Sequence, residues 1–205
     1  MIFTPLSGDA SEAYGQDVRR VAAAAGRDPD SIKILSQLMP VVAPTDVEAE
    51  EKWRLLQSKL HPDLARSVVE AMLAIDLSQF PLDEPLPELG KTNSIQGYRD
   101  AVLSFTKDGR KPTVRELIHE YRGPGTIVGS PATIADYMEN QVDSGACDGF
   151  ALLLQGCPEE LNDFVDYVVP ELQRRGRFRN EYDNATFRDL LKLGRPRNQF
   201  SQACE

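Results

Sequence analysis

The sequence predicts an α/β fold built on a parallel sheet or a (β/α) barrel, and three stretches carry that prediction. MIFT, an amphipathic helix and then SIKILSQLMPVVA give strand–helix–strand within residues 1–38, the repeating unit of parallel sheets. RGPGTIVGSPATIADYMENQVDSGACDGFALLL restores the same rhythm further on. Its apolar run 150–154 has the unbroken character of a strand covered on both faces.

In order, Ile2, Phe3 and Thr4 read as a buried strand. Residues 9–25 read as a helix capped by Asp9 with Glu12, with Tyr14, Val18, Val21 and Ala22 on one face, and Gly26 ends it. Ile32, Ile34 and Leu35 mark a strand over 32–38. Thr45 and Glu48 form a capping box for a helix to about residue 60, which His61-Pro62 closes, and a shorter helix spans 63–74. Residues 76–94 contain Pro81, Pro85 and Pro87 but also Leu77, Phe80, Leu82, Leu86 and Leu89, which suits an extended ordered loop. Helices follow over 95–107 and 113–121, the second opened by Thr113 with Glu116. Thr126 to Val128 is a short strand, Ser130 an N-cap and Pro131 the first residue of a helix to about 142. Pro158 opens the last long helix, in which Leu161, Phe164, Val165, Val168 and Leu172 share a face and Pro170 marks a bend or break.

This order divides the chain into a βαβ unit (1–44), a mainly helical insertion (45–121), the final βα elements (122–176) and a tail (177–205), all in one domain. A net charge of −9 opposes a nucleic-acid partner. The basic stretch Arg174, Arg175, Arg177 and Arg179 reads as a solvated helix end. No apolar run approaches the roughly 18–20 residues of a membrane span, and no signal peptide is visible, so a cytoplasmic location is expected. Cys147, Cys157 and Cys204 have neither disulfide-framework nor zinc spacing.

Chemistry is sparse. GPGTIVG lacks the Gly-Lys-Ser/Thr ending of a phosphate loop and reads as loop, strand and turn, although free N–H groups at 130–133 could hold an anion. His61 and His119 have no metal-ligand companions, so no metal is expected. His119 precedes the loop at Arg122 and could touch a ligand there. Glu159, Glu160, Asp163 and Asp166 read as a solvated helix face. No catalytic constellation is visible.

The motifs VGSPATIADYMENQVDSGACDGFALL, PEELNDFVDYVVPELQRRGRFRNEY and FRDLLKLG resemble the C-terminal end of the nitrilotriacetate monooxygenase component A group. That group belongs to the bacterial-luciferase-like flavin monooxygenases. AAAAGRDPDSIKILSQLMPVVAPTDVEAEEKW and IDLSQFPLDEPLPEL resemble the segment before it. The resemblance implies the C-terminal part, about strands 6 to 8, of a (β/α)₈ TIM-type barrel with a helical insertion. It also implies reduced FMN supplied by an NADH:FMN reductase, dioxygen, and a small organic substrate. On this alignment MIFT is the sixth strand, the chain is truncated, and Ala151 replaces the asparagine of D-G-F-N. Ligand contacts are expected at strand C-terminal ends: Phe3, Thr4, Leu38, Met39, Arg122 and Phe150, with His119. The alternatives are a non-catalytic truncated paralogue that self-associates through open sheet edges, or a deazaflavin cofactor.

Overall fold

The computed structural model describes residues 1–4, 9–90, 99–100, 102–103, 105, 110–119, 121–123, 125–182 and 186–194. Its centre is a four-stranded parallel sheet of β1 (Ile2–Thr4), β2 (Ile34–Val42), β3 (Thr126–Gly129) and β4 (Gly149–Leu152). β2 pairs with all three others: Thr4 lies opposite Ser36, Leu152 opposite Leu38, and Thr126 opposite Met39.

The hydrogen bonds assign the edges. Along a strand, successive backbone groups point to opposite edges. Lys33 accepts from the Ile2 N–H (2.7 Å) and Met39 donates to the Gly125 carbonyl (2.8 Å), so β1 and β3 share one edge of β2. Ile34 and Leu38 accept from Asp148 and Leu153 and face β4 on the other edge. β2 runs longer than the expected 32–38 because Pro40 falls on the β4 edge. There it would be the next donor; having no N–H, it ends that ladder without disturbing β3.

Helices cover one face of the sheet. These are α1 (Asp9–Ala24) after β1, α2 (Asp46–Ser58) after β2, and α5 (Pro131–Asp143) between β3 and β4. After β4 come α6 (Glu159–Asp163), a π-helical turn (Phe164–Val168) and α7 (Val169–Arg174), with a short α8 (Phe187–Leu190) in the tail. Leu38 and Val42 pack beneath Ile134, Ala135, Phe164, Val168 and Leu172. A parallel sheet with helices on one face is an arc of a (β/α) barrel, whereas a doubly wound sheet carries helices on both.

Two helix faces differ from the periodicity. α1 begins at Asp9, which is therefore a helical residue rather than the cap. It turns Ser11, Gly15 and Ala22 inward and leaves Val21 exposed. A Cβ at Gly15 would meet the Gly145 carbonyl at 2.8 Å, so small residues allow close backbone approach. In the last helix Leu161 and Val165 are exposed, and the buried stripe is Glu160, Phe164, Val168 and Leu172. Spacing of four throughout drifts off a 3.6-residue stripe, and the wider π turn corrects the drift. That turn lies just before Pro170, which has no N–H to give an α-helical bond.

The insertion has its own core. α3 (Pro62–Leu73) and α4 (Val114–His119) bury Val69, Leu73, Leu77, Leu86, Val102, Val114, Leu117 and Ile118 together. Thr113 and Glu116 exchange both bonds of the capping box, at 2.8 and 3.1 Å. Most of the helix expected over 95–107 lies outside the described residues, as does Cys204. Among the described residues, no helix is long and apolar enough to cross a membrane.

Candidate functional site

Because the strands are parallel, their C-terminal ends share one rim. Side chains along β2 alternate between the helix layer and the opposite, open face. Ile34, Ser36, Leu38 and Val42 are buried toward the helices, while Leu35, Gln37 and Met39 are only half-buried. Register places Phe3 and Gly149 beside Leu35, and Ala151 beside Gln37, on the open face.

This alternation sorts the residues singled out from the sequence. Phe3, 62% exposed, and Met39 lie on the open face. Thr4, Leu38 and Phe150 fall on the helix side: Thr4 and Leu38 are buried, and Phe150 packs against the helix-layer core. His119 is exposed at the end of α4. Arg122 lies in the turn before β3, and that turn passes beside Met39, since a Cβ at the adjacent Gly123 would lie 3.7 Å from the Met39 methyl. The structure thus places Met39 beside the turn that carries Arg122, whose side chain reaches α2.

α2 supplies the surroundings of Arg122. Its Nη2 donates to both carboxylate oxygens of Glu50 at 2.8 Å, and the guanidinium lies 5.8 Å from the centre of the Trp53 ring. The Arg122 carbonyl accepts from Thr126 Oγ1 at 2.5 Å, which ties this turn to the first residue of β3. Glu50 and Trp53 are three apart on α2 and so project from neighbouring positions. The sequence holds that spacing, but nothing in it points to an arginine 72 residues away.

Other polar groups are committed elsewhere. The N-terminus of α5, where an anion could sit, receives the chain's own Asp46 carboxylate. Oδ1 accepts from the Ser130 N–H and from Thr133 Oγ1, both at 2.7 Å, and these bonds hold Asp46 below its usual range. The acidic helix face is not simply solvated. Glu160 is buried and accepts from the N–H groups of Gln155 (2.6 Å) and Gly156 (2.9 Å), while Asp163 pairs with Lys52 at 2.5 Å. Nor is the basic helix end free: Arg175 binds Asp136, Glu139 and Glu171, and Arg177 binds Asp143. Asp148 accepts from the Ile34 N–H (2.8 Å) and pairs with Arg19, anchoring the start of β4. Cys147 is buried and burial pushes its thiol up; Cys157 is exposed.

A one-sided parallel arc with its polar cluster at the strand C-terminal rim is part of a (β/α)₈ barrel of the kind that builds ligand sites at that rim. Residues 1–148 match the model of the luciferase-like monooxygenases, and the chain belongs to that family. It is 38% identical to nitrilotriacetate monooxygenase component A of Aminobacter aminovorans, over 93% of this chain and 43% of that protein. DmoA from Hyphomicrobium sulfonivorans superposes with a TM-score of 0.77 at 33% identity, over 92% of this chain and 40% of that one. A riboflavin lyase solved with modified FMN and riboflavin gives a TM-score of 0.71 at 27% identity, over 93% and 42%. The chain therefore spans less than half the length of these relatives.

Proposed function

We propose that this chain forms the C-terminal wall of an FMN-dependent monooxygenase. Reduced flavin from a separate NADH:FMN reductase, together with dioxygen, would oxygenate a small organic substrate against this wall. The observation that carries the proposal is the open face of β2, where Phe3 is exposed and Leu35 and Met39 are only half-buried. Membership of the luciferase-like monooxygenases and the flavin-containing structural neighbour support it.

The open face suits one half of a flavin. Phe3, Leu35 and Met39 offer apolar surface to a planar ring and would keep water from it. The phosphate has no comparable place among the described residues, since Asp46 fills the N-terminus of α5 and Glu50 engages Arg122. We accordingly assign ring packing, and not phosphate binding, to these residues. Bound reduced flavin supplies the activation of dioxygen; the chain's part is to shape and dry one side of the site.

Titration of FMN and of riboflavin into the purified chain, followed by flavin fluorescence, tests this assignment. Saturable quenching of similar affinity for both is expected, with weakening by Met39→Asp. Absence of saturable quenching by either flavin would overturn it. The rival is a non-catalytic chain that associates with another copy. The outer edges of β1 and β4, unpaired among the described residues, favour that second function.

A further inference from the structure

Of the strand residues that register places on the open face, two carry polar side chains. Thr126, beside Met39, donates its hydroxyl to the Arg122 carbonyl. Gln37, half-buried between Leu35 and Met39, has no hydrogen-bond partner for its amide among the described residues, and the amide is not sealed from solvent. Other glutamines spend theirs locally: Gln16 on Glu12, Gln79 on Asp76 and Gln173 on the Arg179 carbonyl. The height of Gln37 in the sheet also matters. Ser36 lies opposite Thr4, the last residue of β1, and Leu38 lies opposite Leu152, the last residue of β4. Gln37 is therefore level with the C-terminal ends of both neighbours, where a (β/α) barrel places its ligands, while β2 alone runs on beside β3. Ala151, next to it on β4, carries only a methyl group, so no long side chain covers the amide from that strand.

We propose that Gln37 is the polar anchor of the open face and reads the imide edge of the flavin ring, the N–H that lies between two carbonyls. A primary amide holds a C=O acceptor and an N–H donor side by side. An imide edge presents the reverse pair, so the two groups meet through two hydrogen bonds in one plane. A carboxylate would offer no donor to Gln37 Oε1, and a hydrocarbon would strip water from both amide atoms and return nothing. Phe3, Leu35 and Met39 supply the apolar surface on which the rest of a planar ring can lie, with Gln37 as the one unpaired polar group among them. That the imide belongs to a flavin rests on the monooxygenase reading above; that Gln37 binds an imide edge does not.

Three ligands titrated into the full chain test this: riboflavin, riboflavin methylated on its imide nitrogen, and lumazine, a smaller heterocycle with the same imide edge. Ligand fluorescence reads all three. The parent chain is expected to bind riboflavin and lumazine saturably and the methylated flavin about tenfold more weakly, the scale of two neutral hydrogen bonds. Gln37→Leu weakens riboflavin by about the same factor and no longer distinguishes it from the methylated form. The imide ¹⁵N signal of labelled riboflavin shifts on binding to the parent and not on binding to Gln37→Leu, a readout that a merely structural glutamine would not move. The methylated ligand probes the unaltered protein, so the comparison survives a variant that folds poorly. Equal affinity of the parent for riboflavin and its methylated form, or unchanged discrimination in Gln37→Leu, would overturn the proposal and leave the flavin-facing wall standing. Lumazine binding that depends on Gln37, without riboflavin binding, would keep the imide subsite and remove the flavin from it. Saturation by none of the three ligands would overturn both.

Discussion

Gly125 is where a single methyl group should do most damage to the rim. Its φ is +76°, and a Cβ there would lie 2.4 Å from the Gln37 carbonyl oxygen and 3.1 Å from the carbonyl carbon. The residue cannot retreat freely, because its own carbonyl accepts the Met39 N–H at 2.8 Å. Gly125→Ala therefore adds a left-handed backbone cost of about 1–2 kcal/mol. Relieving the contact breaks the Met39 bond, at a further cost of about 1–3 kcal/mol. Gly26 is the matched control: its φ is +72° but nothing lies within 4 Å of a Cβ, so Gly26→Ala carries only the backbone cost. Urea unfolding followed by Trp53 fluorescence reads both variants. With a denaturant dependence of about 2 kcal/mol/M, Gly125→Ala lowers the midpoint by about 1–2.5 M and Gly26→Ala by about 0.5–1 M. Equal midpoints for the two variants would refute the close approach of β3 to β2 as the reason for glycine at 125.

Two further outcomes follow from the packing and the charges. Leu38→Ala, fully buried under the helix layer, should lower stability by about 2–5 kcal/mol in the same unfolding experiment. The bonds from Arg110 and the Thr113 N–H hold Glu116 at about 2, and Arg174 and Arg175 hold Glu171 at about 2. Both folded values lie below the unfolded value of about 4.3, so their stabilisation is present above that pH and is lost as pH falls toward 2. The urea midpoint should therefore drop between about pH 5 and pH 2, with a shallower drop in Glu116→Gln.

The elements legible in the sequence are those whose cause is local. The capping box at Thr113–Glu116 and the Ser130–Pro131 start of α5 depend on neighbouring residues, and both form as expected. The extent of β2 was harder to read because Pro40 looks like a terminator until its unused edge is known. The inward face of the last helix needed the π turn, which apolar spacing alone does not reveal. Most polar surprises are long-range. Asp46 at Ser130, Lys52 at Asp163 and Arg122 at Glu50 join groups far apart in sequence, and each partner alone resembles a surface charge. Net charge and local spacing cannot foresee such pairs, because they exist only once the strands have set α2 beside the other helices.

That placement gives α2 a particular weight. Its first turn caps α5 through Asp46; its middle holds Arg122 through Glu50 and Trp53; and Lys52 reaches both the Val42 carbonyl and Asp163. One helix thus connects the end of β2, the helix layer and the turn by which the insertion returns to the sheet. The helix side of the arc is packed, whereas the open face leaves Phe3 exposed and Met39 half-buried. A scaffold stabilised on one face can leave apolar surface on the other, because the fold does not depend on it. The open face is consequently where binding should be read, and changes at Phe3 should alter recognition more than stability.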